Sequence, residues 1–224
     1  LMTSIFSQGT VAGFGHLIVI GSKERLISVY SVYEFLYFNV VSIIYSVCAV
    51  MILPFVSLYT DGIEGVPYVD AKLAGLFVII GVLNNLRVPG GTLINAGGYY
   101  KETQWRAVTE ALINLCVSLL LIKPLGIYGV LLGTVMSFLY RTVDIIVYSN
   151  KIILKKSAKN TFFRCVRVFT ILVINLLLFK FLSLTTVNWI DWIATATIVT
   201  ITATLITVLL SFASEPSHIK NIFL

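Results

Sequence analysis

Long apolar runs separated by short polar breaks set the pattern of this chain. They cover Glu34–Tyr59, Ala71–Ala96, Trp105–Ile122, Leu125–Ser149, Cys165–Leu184 and Trp189–Phe212. A weaker run, Thr3–Ile20, is interrupted by Gln8, Gly9, Gly13, Gly15 and His16. A helix needs about 20 residues to cross the hydrocarbon of a bilayer. Backbone groups there cannot bond to water, so spans are helices or closed barrels. Barrel strands are runs of about 10 residues with alternating polarity. The runs here are longer and do not alternate. The pattern therefore predicts an all-α polytopic transmembrane helical bundle of about seven spans, joined by short connections.

Composition agrees. The 224 residues are 58% hydrophobic and 12% charged, against about 25% charged in soluble domains. The net charge of +6 raises nucleic acid as a partner, but the basic residues lie in short loops between apolar runs, where positive charge sets topology. Nucleic acid is excluded on that ground, and membrane lipids are the expected surroundings. Cys48, Cys116 and Cys165 show no metal-ligand spacing and read as small apolar packing residues. No Ser/His/Asp set, metal cluster or phosphate loop is present, so the sequence calls for no cofactor and no covalent catalysis.

Charge also gives an orientation. If all seven runs cross, twelve Lys/Arg fall on one side and three on the other, with Arg87 inside a span. The basic side collects Lys23, Arg25, Lys101, Arg106 and the connection from Arg141 through Arg167, plus Lys220 in the tail. The opposite loops carry Asp61, Glu64, Asp70 and Asp191. The positive-inside rule then puts the C-terminus in the cytoplasm and the N-terminus outside. An outside N-terminus with Leu at position 1 and no signal-peptide pattern leads to the expectation of a missing N-terminal half of the same polypeptide.

Arg87 is the principal candidate for chemistry. It lies about ten residues from the cytoplasmic loop near Gly97, or about 15 Å deep at 1.5 Å per residue. A charge at that depth is costly and should face a cavity or a partner. Arginine also offers paired hydrogen bonds to phosphate, so the functional reading is a contact for an anionic substrate, against a structural ion pair. Pro89, followed by Gly90 and Gly91, should kink or break the helix there. Asn84, Asn85 and Asn95 add polar groups to the same span. On an ideal helix Arg87 points about 160° from Asn85, so either the kink re-aims it or two faces meet polar surroundings. Glu110 and Asn114 share one face of the next span. Glu110 reads first as an i,i+4 partner of Arg106, and Asp144 as a partner of Arg141; a coupling or gating role for Glu110, Asn114, Asp144 and Pro89 is the second reading. Glu34 reads as an N-terminal interfacial residue favoured by the helix dipole. Gly126, Gly129 and Gly133 form a small-residue stripe suited to close helix packing. The basic connection Lys151–Arg167 reads as a topology signal touching anionic headgroups.

Two runs carry a family resemblance. Asn95-Ala96-Gly97-Gly98-Tyr99-Tyr100-Lys101-Glu102-Thr103, followed by Glu110-Ala111-Leu112-Ile113-Asn114-Leu115, and then Gly126-Ile127-Tyr128-Gly129-Val130-Leu131-Leu132-Gly133-Thr134, resemble the second half of polysaccharide-unit flippases. That family belongs to the superfamily of MATE-type multidrug exporters and lipid II flippases. The resemblance covers residues 95–134. It implies two lobes of six helices around a cavity that opens alternately to each side. The cargo would be a lipid-linked oligosaccharide on an undecaprenyl diphosphate carrier, moved across a bacterial cytoplasmic membrane for surface polysaccharide synthesis. Residues 1–150 would then be most of a MATE-like second lobe, and residues 151–224 a basic connection with two extra C-terminal helices. Arg87 falls in no motif of the family. A multidrug exporter and a lipid II flippase are the near alternatives. A membrane polymerase or acyltransferase would need longer hydrophilic loops than the roughly 15-residue basic connection, the longest in this sequence, so no enzyme is expected.

Overall fold

The structure is a computed structural model that describes residues 2–63, 65, 67–182 and 187–215, with side chains described from Gly9 onward. Glu64, Lys220 and the end of the Cys165–Leu184 run lie outside the described residues. Every regular element among the described residues is helical: α1 (Met2–Ile20), α2 (Lys23–Tyr59), α3 (Ala71–Leu86), α4 (Val88–Ala96), α5 (Tyr100–Leu125), α6 (Ile127–Tyr148), a π-helical turn (Ser149–Ile153), α7 (Lys159–Leu182) and α8 (Trp189–Ser214). Among the described residues, six helical stretches are long and apolar enough to cross a membrane: Lys23–Tyr59, Ala71–Ala96, Tyr100–Leu125, Ile127–Ile153, Lys159–Leu182 and Trp189–Ser214. The protein is an all-α polytopic membrane bundle. Of the expected span Thr3–Ile20, the described side chains cover the apolar stretch Gly9–Ile20 of α1, and those of residues 3–8 lie outside the described residues.

Two boundaries differ from expectation. α2 starts at Lys23, eleven positions before Glu34, so Glu34 is an interior helical residue and no dipole-favoured start. The polar Lys23-Glu24-Arg25 turn hides that start, because apolar patterning begins only later. The basic connection is also shorter than about 15 residues: α6 runs into the π-helical turn, and α7 begins at Lys159.

Local chemistry explains the helix ends. Gly21 and Gly126 take φ of 74° and 57°, left-handed values that glycine adopts without a Cβ penalty. Gly126 alone joins α5 to α6, which forces these helices into a tight hairpin. Asp70 Oδ1 accepts the backbone N–H groups of Lys72 and Leu73 at 2.8 and 2.9 Å at the start of α3. Asn188 Oδ1 does the same for Asp191 at 2.9 Å at the start of α8. Both satisfy otherwise orphaned donors. Thr197, Thr200, Thr202 and Thr204 of α8 each donate to a carbonyl four residues back. Their hydroxyls therefore need no water in an apolar surrounding.

The chain divides into two compact units, one of Leu1–Tyr37 with Val82–Arg164, the other of Phe38–Gly81 with Cys165–Leu224. In the first, Phe14, Leu26, Tyr30, Leu93 and Leu154 form a buried cluster that docks α1 on α4 and the π-helical turn. Gly90 lets α4 approach α6 closely: a Cβ there would lie 2.6 Å from Ile145 Cγ2. In the second unit Met51, Phe179 and Val199 make the core. Phe55 packs on Trp189 and Trp192 with ring centroids 5.8 Å apart in both cases. Arg167 donates to Ser214 Oγ at 2.8 Å and to Asn39 Oδ1 at 3.3 Å, and Ser211 donates to the same Asn39 oxygen at 2.9 Å. These bonds fasten the end of α8 to α2 and α7.

Candidate functional site

The break after Leu86 shapes the first unit's polar centre. Val88 and Pro89 open α4, and Arg87 is its N-cap residue. Proline is tolerated in a first turn because its missing N–H would be unbonded there anyway. The kink expected from Pro89 is thus present, with Arg87 at the break. The guanidinium is held on three sides. Nη2 donates to Asn84 Oδ1 at 2.6 Å, Nη1 donates to Glu110 Oε1 at 2.6 Å, and the group lies 4.3 Å from the centre of the Phe138 ring.

Glu110 also forms an ion pair with a second cation. Arg141 Nε stands 3.5 Å from Glu110 Oε2, and Arg141 Nη1 donates to Asp144 Oδ2 at 2.9 Å. Asp144 also pairs with Arg106, whose guanidinium lies 4.9 Å from the Tyr148 ring centre. Five charges therefore alternate across α4, α5 and α6: Arg87, Glu110, Arg141, Asp144, Arg106. Three cations against two carboxylates leave one net positive charge.

This row borders open space. A cavity of about 410 Å³ is lined by Arg87, Thr92, Asn95, Glu110 and Arg141, with Val11 and Ile145 among its apolar walls. A second hollow of about 460 Å³ is lined by Glu110, Asn114, Ser137 and Phe138 along the α5–α6 hairpin. Glu110 belongs to both.

The structure brings together some sequence candidates and separates others. Arg87, Asn84, Glu110 and Asp144 join one network, with Asn95 on the cavity wall and Pro89 buried beside it. Asn85 is turned elsewhere and accepts from Tyr37 Oη at 2.9 Å, so two faces of the helix do meet separate polar surroundings. Asn114 donates to Thr134 Oγ1 at 3.2 Å and Ser137 Oγ at 3.3 Å, bonds that tie α5 to α6. In place of the i,i+4 pairing with Arg106, Glu110 pairs with Arg87 and Arg141, and Arg106 pairs with Asp144. Asp144 keeps its expected local partner Arg141 and gains Arg106.

Comparison with protein-family models, curated proteins and solved structures finds no match for this chain. The site must be read from its own geometry.

One polar centre escaped sequence reasoning. Glu34 on α2 and Arg164 in the first turns of α7 are each 1% exposed, and Arg164 Nη1 donates to Glu34 Oε2 at 2.8 Å. Thr161 lies 3.0 Å from both carboxylate oxygens, and Tyr30 Oη donates to Oε1 at 3.0 Å. Arg164 also donates to the Ser31 carbonyl at 2.9 Å. A buried pair this well bonded holds helices in register rather than offering a site. Arg164 is therefore no headgroup contact.

Proposed function

We propose that this chain is a lobe of a membrane transporter that moves a lipid-linked oligosaccharide across the bacterial cytoplasmic membrane for surface polysaccharide synthesis, with the carrier's diphosphate contacting Arg87. The observation that carries this reading is the cavity beside a broken helix, lined by two guanidinium groups and one carboxylate with a net positive charge. A phosphate anion suits such a site through paired N–H donors. The resemblance of residues 95–134 to polysaccharide-unit flippases supplies the cargo class, and alternating access without covalent chemistry supplies the mechanism. The seven-span count and the cytoplasmic C-terminus belong to the same proposal.

A cation-coupled multidrug exporter needs a carboxylate free to take a cation. Glu110 and Asp144 both face guanidinium groups, which favours an anionic ligand over that alternative. The test is Arg87→Ala in a strain whose surface polysaccharide depends on this gene. The expected result is at least a tenfold fall in surface polysaccharide with membrane protein level unchanged. Undiminished export at equal protein level would remove Arg87 from transport.

A further inference from the structure

Two guanidinium groups from different helices, Arg87 and Arg141, meet on one carboxylate, Glu110, at the wall of a cavity. A carboxylate is the side-chain group nearest in charge and acceptor geometry to a phosphate oxygen pair, and arginine forks serve both alike. We infer that Glu110 is a resident counter-ion occupying an anion site, that a ligand phosphate displaces it, and that Arg141 is the second arm of that site. The inference rests on the reading of Arg87 as an anion contact and adds to it the group that pairs with both arginines.

Four observations support displacement. First, Glu110 engages both cations through different oxygens, Oε1 to Arg87 at 2.6 Å and Oε2 to Arg141 at 3.5 Å. Its departure therefore exposes both donors at once. Second, the cations keep their aim without it. Arg87 stays bonded to Asn84 and stacked on Phe138, and Arg141 stays paired with Asp144 at 2.9 Å. Third, Glu110 has somewhere to go. The second hollow, of about 460 Å³, also borders Glu110, between Asn114 and Ala107 of α5 and Ser137 of α6. Fourth, the charge balance suits exchange. With Glu110 swung away, Arg87, Arg141 and Arg106 face only Asp144, a local charge of two positives that matches a diphosphate diester. A resident carboxylate also gives the half-buried Arg87 guanidinium a counter-charge before a ligand arrives.

The probe is inorganic pyrophosphate, titrated calorimetrically into the purified chain in phosphatidylcholine nanodiscs. Glu110→Gln keeps the shape and removes the competing charge, and is expected to bind pyrophosphate at least tenfold tighter than wild type. Arg141→Gln is expected to weaken binding at least tenfold and to abolish the gain when combined with Glu110→Gln. Melting temperatures of all variants check folding. If Glu110→Gln binds no tighter while Arg87→Gln loses binding, the anion site stands and the counter-ion is overturned. If neither wild type nor Glu110→Gln binds, the anion reading of Arg87 falls with it. Replacing part of the phosphatidylcholine by phosphatidylglycerol separates two phosphate sources. Competition by the lipid assigns the site to a phospholipid headgroup, and undiminished binding assigns it to a diphosphate group; both support displacement of Glu110.

Discussion

Arg164→Met should be the most destabilising single change in the first unit. The substitution leaves Glu34 buried at 1% exposure with Thr161 and Tyr30 but without its cation. Removing one partner of a buried ion pair costs about 3–5 kcal/mol, a large share of the 5–15 kcal/mol that typical proteins possess. For a chain of this size that corresponds to a fall in melting temperature on the order of 10 °C. The measurement is thermal unfolding of purified protein in detergent, with yield after gel filtration as a second readout. Glu34→Met combined with Arg164→Met should recover most of the loss, since an apolar pair of similar volume often replaces a buried ion pair at little cost. Equal melting temperatures for wild type and Arg164→Met would mean that the pair does not hold α2 and α7 in register.

Gly133→Leu should come next. A Cβ at this position would meet Ser118 Oγ, with the Ser118 backbone nitrogen 2.9 Å away and the Asn114 carbonyl oxygen 3.0 Å away. At Gly129 the obstacle is the Leu121 backbone itself. Backbone atoms in a hairpin joined by Gly126 alone cannot retreat as side chains can, so the helices must separate. Overpacking of this kind costs about 1–3 kcal/mol, and separation would break the Asn114 bonds to Thr134 and Ser137. Gly133→Leu and Gly129→Leu should each lower the melting temperature by several degrees. Gly75→Ala is the control: nothing lies within 4 Å of its Cβ position, and alanine favours helix over glycine by about 0.5–1 kcal/mol. A drop of the same size in the control would show that any change at glycine destabilises this bundle.

Features that depend on neighbours along the chain were legible in the sequence. Apolar run length gave the six membrane-length helices, Pro89 gave the break, and the Gly126–Gly129–Gly133 stripe gave the close α5–α6 approach. Depth alone marked Arg87 as a charge in need of a partner. Which partner it takes depends on which helices adjoin, and no periodicity encodes that. The i,i+4 rule therefore chose Arg106 for Glu110, although Arg87, 23 positions away, bonds to it. The same reason hid Glu34 and Arg164. Arg164 stands in a basic stretch that satisfies the topology rule by itself. Glu34 stands where apolar patterning starts, so each had a sufficient local explanation.

The separation of these partners along the chain has a consequence for synthesis. A ribosome adds about 5–20 residues per second, and helices enter the bilayer in the order they are made. Arg87 waits for Glu110, 23 positions later, or about 1–5 s at those rates. Glu34 waits for Arg164, 130 positions later, or on the order of 10 s. During that interval α2 carries a carboxylate with no cation yet made to meet it. The early helices must therefore stay beside the insertion machinery until α7 emerges and closes the pair.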